Sequence, residues 1–260
     1  MDILVCIKKV PDTADAEVIL RSDGKGIEEE DLAFGINEWD NYAVEEAIRL
    51  KEKEGGKVAV VTIGTGDDED ILRRCLAMGA DDAYRIDSSP FYMDDPYSVA
   101  KGLSAFAKKH SFDLIMTGVM AGDMSYAMTG PLTAGMLGIP HTTLVTSIDV
   151  KDGNISVTRE LEGGLEESVR LELPALLTIQ TGINEPRYVS IMGIRKVRSK
   201  EIPVLRAEEL GLSAEEIGEQ GAVLKLESLE RPPEGKEAEM ISGSPDEIAE
   251  KILEIVKGVV

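Results

Sequence analysis

The chain has 260 residues, 43% of them apolar, so it can bury the core of one large α/β domain with an appended segment and needs no covalent or metal staple. Its 49 acidic against 28 basic residues give a formal net charge of -21, which a phosphate backbone would repel; nucleic-acid binding is excluded and the acidity reads as solubility. Cys6 and Cys75 sit far apart in apolar surroundings, as core residues in a reducing compartment do, and nowhere do about 18 apolar residues run together, so a cytoplasmic protein without membrane insertion is expected.

Residues 3–7 are rich in β-formers and alternate little, which predicts a central strand covered on both faces. Val10-Pro11-Asp12 is expected to stop it, and the polar stretch 21–30, with Gly24 and Gly26, reads as a hairpin or loop. A helix follows over residues 41–53, with Ala43, Val44, Ala47 and Ile48 on one face and Glu46, Arg49 and Lys53 on the other, ended by Gly55-Gly56. A second strand over 57–63 leads through Gly64-Thr65-Gly66 into a helix that Gly79 closes; its first turn, 67–70, is acidic, as the helix dipole favours. Residues 83–86 form a third strand, 96–110 a third helix and 113–117 a fourth strand. Strands alternating with helices predict a parallel sheet with helices on both faces. Ligands of such sheets sit at the carboxyl ends of the strands, and the turns after Ile7, Ile63 and Thr117 all fall on that edge.

The turn after Thr117 opens residues 118–140, GVMAGDMSYAMTGPLTAGMLGIP, where small residues give way to an Ala/Met/Leu segment at helical spacing that starts near Thr129 and Gly130. Glycines let backbone N–H groups approach an anion, and the first N–H groups of the next helix favour negative charge there. An ordinary α/β turn uses the same residues, so this stretch alone leaves nucleotide binding and a structural turn both open. His110 and His141 are separated, no cysteine pairs with another at ligand spacing, and no acid–base pair can be assigned, so neither a metal site nor catalytic residues are expected.

After Pro140 the pattern changes. Residues 141–145, 154–161 and 168–173 read as β-hairpin strands separated by Asp152-Gly153 and Gly163-Gly164, and 175–180 as another buried strand. Arg187, Arg195, Lys196, Arg198 and Lys200 form a basic segment against the acidic background, either a docking site or a solvated connection. From residue 201 the chain is acidic and broken by Gly and Pro, and it closes with a helix capped by Ser244, Pro245 and Glu247 ahead of Ile248, Ile252, Leu253 and Val256. Residues 202–260 read as an arm that needs another surface, or as a poorly ordered tail.

Residues 157–178, VTRELEGGLEESVRLELPALLT, place an aliphatic Val157, a basic Arg159, the Glu162-Gly163-Gly164 cluster, Glu167, Pro174, the pair Leu176-Leu177 and Thr178 in succession. This resembles the signature of the electron transfer flavoprotein β-subunit family. The resemblance continues through residues 5–12, 37–47, 64–81, 118–140 and 185–200, in the right order along essentially the whole chain. It implies a Rossmann-like α/β fold, a parallel sheet of the adenine nucleotide alpha hydrolase-like type with a β-hairpin extension. Residues 1–201 would be the adenine-nucleotide-binding α/β domain and 202–260 a C-terminal arm packing on the partner subunit.

The resemblance further implies an electron carrier subunit rather than an enzyme. Such a β-subunit forms a heterodimer with a larger α-subunit and shares its FAD. The pair accepts electrons from acyl-CoA-type dehydrogenases and passes them to a quinone-reducing or other downstream oxidoreductase. The β-subunit itself holds AMP, or in electron-bifurcating, NADH-oxidising members a second FAD. Cys6, Asn37, Glu38, Trp39, Asp40 and Ile63 match positions that contact the adenine nucleotide. So do Gly118, Met120, Gly122, Asp123, Met124, Ser125, Tyr126, Ala127, Met128 and Thr129, with Thr129 and neighbouring amides at the phosphate. Trp39 and Thr13 match positions near the flavin ring of the α-subunit; Trp39 equally reads as a core aromatic.

Many relatives have an acidic pair, a threonine or cysteine and a glutamine in the 118–129 loop, whereas this chain keeps Asp123 but has Ser125, Tyr126 and Met128. Backbone amides bind phosphate without those side chains, and the departures fall where bifurcating relatives hold their pattern, so AMP in a structural role is expected. Residues 186–200 resemble the family's recognition loop: Ile191 matches the apolar anchor, Met192 and Ile194 flank it, and Arg195, Lys196, Arg198 and Lys200 supply charge. An adenine-nucleotide-consuming ligase would need a phosphate-loop lysine and metal-binding acids, where the loop offers only Asp123. A standalone nucleotide-sensing module would need neither the arm nor the basic loop.

Overall fold

The computed structural model describes residues 1–14, 16–151, 154–233, 235, 238 and 240–259. The chain runs β1 (Asp2–Cys6), β2 (Lys9–Asp12), β3 (Ala33–Ile36), α1 (Glu38–Glu54), β4 (Lys57–Gly64), α2 (Glu69–Met78), β5 (Asp82–Asp87), α3 (Pro96–Lys109) and β6 (Leu114–Gly118). It continues with α4 (Thr129–Leu137), β7 (His141–Lys151), β8 (Asn154–Leu161), β9 (Leu165–Glu172), β10 (Ala175–Ile179), α5 (Ile191–Val197), β11 (Val204–Leu205), α6 (Ala214–Ile217) and α7 (Pro245–Val259). Among the described residues, nine strands form one sheet in the order β11-β5-β4-β1-β6-β10-β7-β8-β9. The strands from β11 to β7 pair in parallel, and β8 and β9 extend the sheet as antiparallel hairpin strands. This is the Rossmann-like α/β arrangement that the alternation of apolar runs and helices predicts. The expected turn at Asp152-Gly153 lies outside the described residues.

The little-alternating run in β1 is explained by its neighbours. Ile3, Val5 and Ile7 pack toward α1 and α2, where Ala43, Val44, Ala47, Ile48, Leu72 and Cys75 are buried. Leu4 and Cys6 point the other way, to the core of Phe106, Leu103 and Ala134 under α3 and α4. Apolar residues on both faces are what a strand roofed on both sides requires. After β1 the chain adds β4 and β5 on one side, then crosses to place β6 on the other. The strand order therefore reverses between β1 and β6, and the crevice outside their carboxyl ends is the ligand position of an open α/β sheet.

The structure refines the sequence expectations locally. Val10-Pro11-Asp12 does not end a strand but lies within β2, which pairs antiparallel with β3; a two-stranded ribbon has free edges where a proline without an N–H is tolerated. Helix α1 starts at Glu38, before the expected residue 41; Asp40 in its first turn faces inward and is buried although it bears a carboxyl group. The basic segment contains a short helix, α5, which takes in Arg195 and Lys196 and leaves Arg187, Arg198 and Lys200 in the flanking chain. Residues 202–217 return to the body: β11 pairs with β5, and Ile202, Ala207, Leu210 and Ile217 are buried. Beyond them α7 is amphipathic with Ile252, Leu253, Ile255 and Val256 exposed. Among the described residues no helix is long and apolar enough to cross a membrane.

Candidate functional site

A cleft opens at the carboxyl ends of β1, β4 and β6, at the point where the strand order reverses. Of the residues singled out from sequence, the fold brings Cys6, Asn37, Asp40, Ile63, Gly118, Met120, Met124, Tyr126, Ala127, Met128 and Thr129 to its lining. Gly122, Asp123 and Ser125 belong to the same loop but are not part of the lining, nor are Glu38 and Trp39 in the first turn of α1. Thr13 lies exposed just past β2. The far wall comes from Met93, Asp94, Pro96, Val99 and Leu103, and part of the floor from Lys8, none of which the sequence pattern singled out. Lys8 directly follows β1, and Asp95-Pro96 is a helix-start signal, with Asp95 accepting from Tyr97 N and Ser98 N; those were the available signs.

The loop is held from outside. Asn37, at the N-terminal boundary of α1, makes no capping bond; its Nδ2 donates to Met120 O at 2.8 Å and its Oδ1 accepts from Gly122 N at 3.1 Å. Asp40 accepts from Gly118 N and Lys8 N, both at 2.8 Å, and so ties the ends of β6 and β1 together. Burial pushes its carboxyl up to about 7, against the hydrogen bonds that lower it. Burial, and then the proximity of Asp40, raises the Cys6 thiol, so it stays neutral and packs rather than reacts. Lys8 Nζ lies 2.5 Å from Asp123 Oδ2, which neutralises the acid that the loop retains.

Two glycines permit the close approach. A Cβ on Gly118 would meet Asp40 Oδ1 at 2.5 Å and Trp39 Cβ at 2.6 Å, so only glycine lets the first turn of α1 rest on β6. A Cβ on Gly130 would meet Thr178 Cγ2 at 2.6 Å and Thr117 Oγ1 at 2.8 Å, so glycine also seats the start of α4 on the ends of β10 and β6. Helix α4 has no side-chain cap, and its first bond to a preceding carbonyl is Leu132 N to Met128 O at 3.0 Å. The Thr129 and Gly130 amides precede that bond, and both residues line the cleft. The arrangement suits an anion at the helix start and an apolar ring system between Ile63, Met93, Val99 and Met124.

The electron transfer flavoprotein domain model matches residues 25–210. The chain is 36% identical to the electron transfer flavoprotein subunit beta of Methylophilus methylotrophus over 98% of each chain. It is 36% identical to the subunit beta of Bacillus subtilis over 99% of this chain and 98% of that one, and 33% identical to the human subunit beta over 97% of each. The chain belongs to the electron transfer flavoprotein β-subunit family.

A second feature of this β-subunit lies apart from the cleft. Helix α5 displays Ile191 and Met192 at 69% and 61% exposure, with Ile194 also exposed. Ser190 caps it by accepting from Gly193 N at 3.1 Å. The approach to the helix is pinned to α1. Arg187 Nε donates to Glu45 Oε2 and Nη1 to Glu52 Oε1, each at 2.8 Å, and Arg49 Nη2 reaches Glu185 O at 3.0 Å. Burial pushes the Glu45 carboxyl up, but the guanidinium groups of Arg187 and Arg49 hold it below the usual range. The sequence reading placed Glu45 on neither face of α1; its burial follows from the arginine that crosses it. Trp39 donates from Nε1 to Gln180 Oε1 at 3.1 Å, a polar contact just past β10.

Proposed function

We propose that this β-subunit pairs with a flavin-bearing α-subunit, and that the pair carries electrons from acyl-CoA-type dehydrogenases to a quinone-reducing or other downstream oxidoreductase. The FAD shared with the α-subunit supplies the redox chemistry. The residues of this chain bind, position and select. The cleft holds AMP in a structural role, with the phosphate against the Thr129 and Gly130 amides and the adenosine among the apolar side chains. The observation that carries this reading is the uncapped start of α4 facing a cleft in which Asp40 is engaged by backbone N–H groups, with the neighbouring Asp123 paired to Lys8 and Asp94 on the opposite wall. Helix α5 is the docking element for the dehydrogenase, with Ile191 as the apolar anchor and Arg195, Lys196 and Arg198 as a basic rim. The part of the C-terminal arm that follows Arg231, with the exposed apolar face of α7, covers part of the α-subunit.

Co-expression with the α-subunit, followed by denaturation of the purified complex and quantification of released nucleotides, tests the assignment. One FAD and one AMP per heterodimer supports it. Two FAD and no AMP would overturn the AMP assignment and place this chain among NADH-oxidising, bifurcating forms.

A further inference from the structure

We propose that Arg73, on α2, is a positioning residue for α5: it holds the C-terminal carbonyls of the helix so that Ile191 and the basic rim are presented in a fixed orientation. The inference rests on the reading of α5 as the docking element. Arg73 Nη1 lies 2.9 Å from Arg198 O and 3.3 Å from Val197 O and Lys200 O. Its own orientation is set by Glu69, whose Oε2 accepts from Arg73 Nη2 at 3.3 Å.

The geometry gives this contact a specific task. Helix α5 has seven residues, far below the length at which a helix is stable by itself in water. Of its last carbonyls, Arg195 O accepts from Arg198 N and Val197 O from Lys200 N, which leaves those beyond the helix, Arg198 O first, in need of a donor. Side chains of the same helix often fill that need, and Arg195, Lys196 and Arg198 are placed to do so. Arg73 takes the carbonyls instead, from a helix anchored in the core. Among the described residues, Arg195, Lys196 and Arg198 have no carboxylate within 4.0 Å, whereas Lys200 pairs with Asp82 at 3.7 Å. The rim charges are thereby left available to an acidic surface on the docking partner. With Arg187 fixing the approach and Arg73 the exit, the helix is ordered before the encounter, and association does not bear the cost of ordering it.

The test uses the FAD-loaded heterodimer, with a purified acyl-CoA dehydrogenase as the varied electron donor. Arg73→Ala is expected to raise the KM for the dehydrogenase roughly three- to tenfold, the effect of disordering one or two interface side chains. The kcat and flavin content stay at the wild-type level, and amide hydrogen exchange over residues 194–200 becomes faster. Arg73→Lys, a single-point donor, falls between the two, and it carries the same comparison should Arg73→Ala assemble poorly. A wild-type KM and unchanged exchange in both variants, with Ile191→Ala still raising the KM, would overturn the role of Arg73 and leave the docking reading standing. If Ile191→Ala does not move the KM either, the docking reading falls and this inference with it.

Discussion

Replacing Asp40 by Asn isolates the carboxylate beneath the cleft. Asp40 is 5% exposed, and its oxygens accept from the amides of Gly118 and Lys8. Burial raises its pKa from 3.8 to about 7 in the folded chain. In the unfolded chain it ionises near about 3.9. Between those values the folded state binds more protons than the unfolded state, so the contribution of Asp40 to stability falls as pH rises from about 4 to about 7 and stays low above that. The gap from 3.8 to about 7 corresponds to about 4 kcal/mol. Asn cannot ionise, and its side-chain carbonyl still accepts one of the two amides. Other titrating groups, Glu45 and Asp81 among them, are common to both proteins and cancel in the difference. The assay is urea denaturation of both proteins at about pH 4.5 and about pH 8. Fluorescence of Trp39, the sole tryptophan and the neighbour of Asp40, reports unfolding. Relative to wild type, Asp40→Asn gains about 3 kcal/mol between the lower and the higher pH. Profiles that run parallel to within about 0.5 kcal/mol would refute the argument.

Gly130→Ala forces a methyl against Thr178 and Thr117. It should cost about 1–3 kcal/mol and lift the start of α4, so a thermal melt shows destabilisation and the purified protein retains less adenine nucleotide; an unchanged nucleotide content would separate α4 from the phosphate site. Glu45→Gln leaves Arg187 and Arg49 without their carboxylate and should cost about 2 kcal/mol near neutral pH. Because the folded Glu45 pKa is lowered, that cost shrinks as pH falls through its folded value, and a difference from wild type that persists unchanged in acid would show that the charge is not its origin. Ile191→Ala removes the exposed anchor and should weaken dehydrogenase docking roughly tenfold in KM with flavin content intact, as measured by steady-state electron transfer; equal rates remove the anchor role. Raising ionic strength should slow the same encounter, because the rim of Arg195, Lys196 and Arg198 acts through solvent.

The parallel sheet was legible because its strands carry apolar residues on both faces, as Ile3, Leu4, Val5 and Cys6 do on β1. Strand order was not legible, and the cleft depends on it. Lys8 reaches Asp123 only because β1 and β6 are neighbours, and the segment from Met93 to Leu103 forms a wall only because α3 packs behind those strand ends. The charged residues that face inward, Asp40 and Glu45, break the periodicity that a sequence reading uses, so the start and one face of α1 were drawn too narrowly. Pro11 misled for a related reason: its effect depends on whether its strand has a free edge. The family resemblance, by contrast, singled out half of the residues that line the cleft, since it carries tertiary neighbourhoods that periodicity cannot.

The first turn of α1 explains why the loop side chains can vary without dismantling the cleft. Within four residues, Asn37 fastens the loop at Met120 and Gly122, Trp39 reaches Gln180 beyond β10, and Asp40 joins the ends of β1 and β6. The loop it brackets is strained, with Ser125 and Ala127 both at φ 53°, a region that costs a non-glycine residue on the order of 1 kcal/mol. That conformation aims the loop backbone and delivers the chain to Thr129 at the start of α4. It is held by the bracket and by Gly130 seated against Thr117 and Thr178, not by the loop's own side chains. The side chains of Ser125, Tyr126 and Met128 are consequently not what holds the loop: Tyr126 and Met128 line the cleft, Ser125 does not, and the Thr129 and Gly130 amides are placed by residues outside the loop. On the proposed reading of the cleft as an AMP site, selectivity among adenine nucleotides would fall to Tyr126 and Met128, which line it, and the shape of the site to Asn37, Asp40, Gly118 and Gly130.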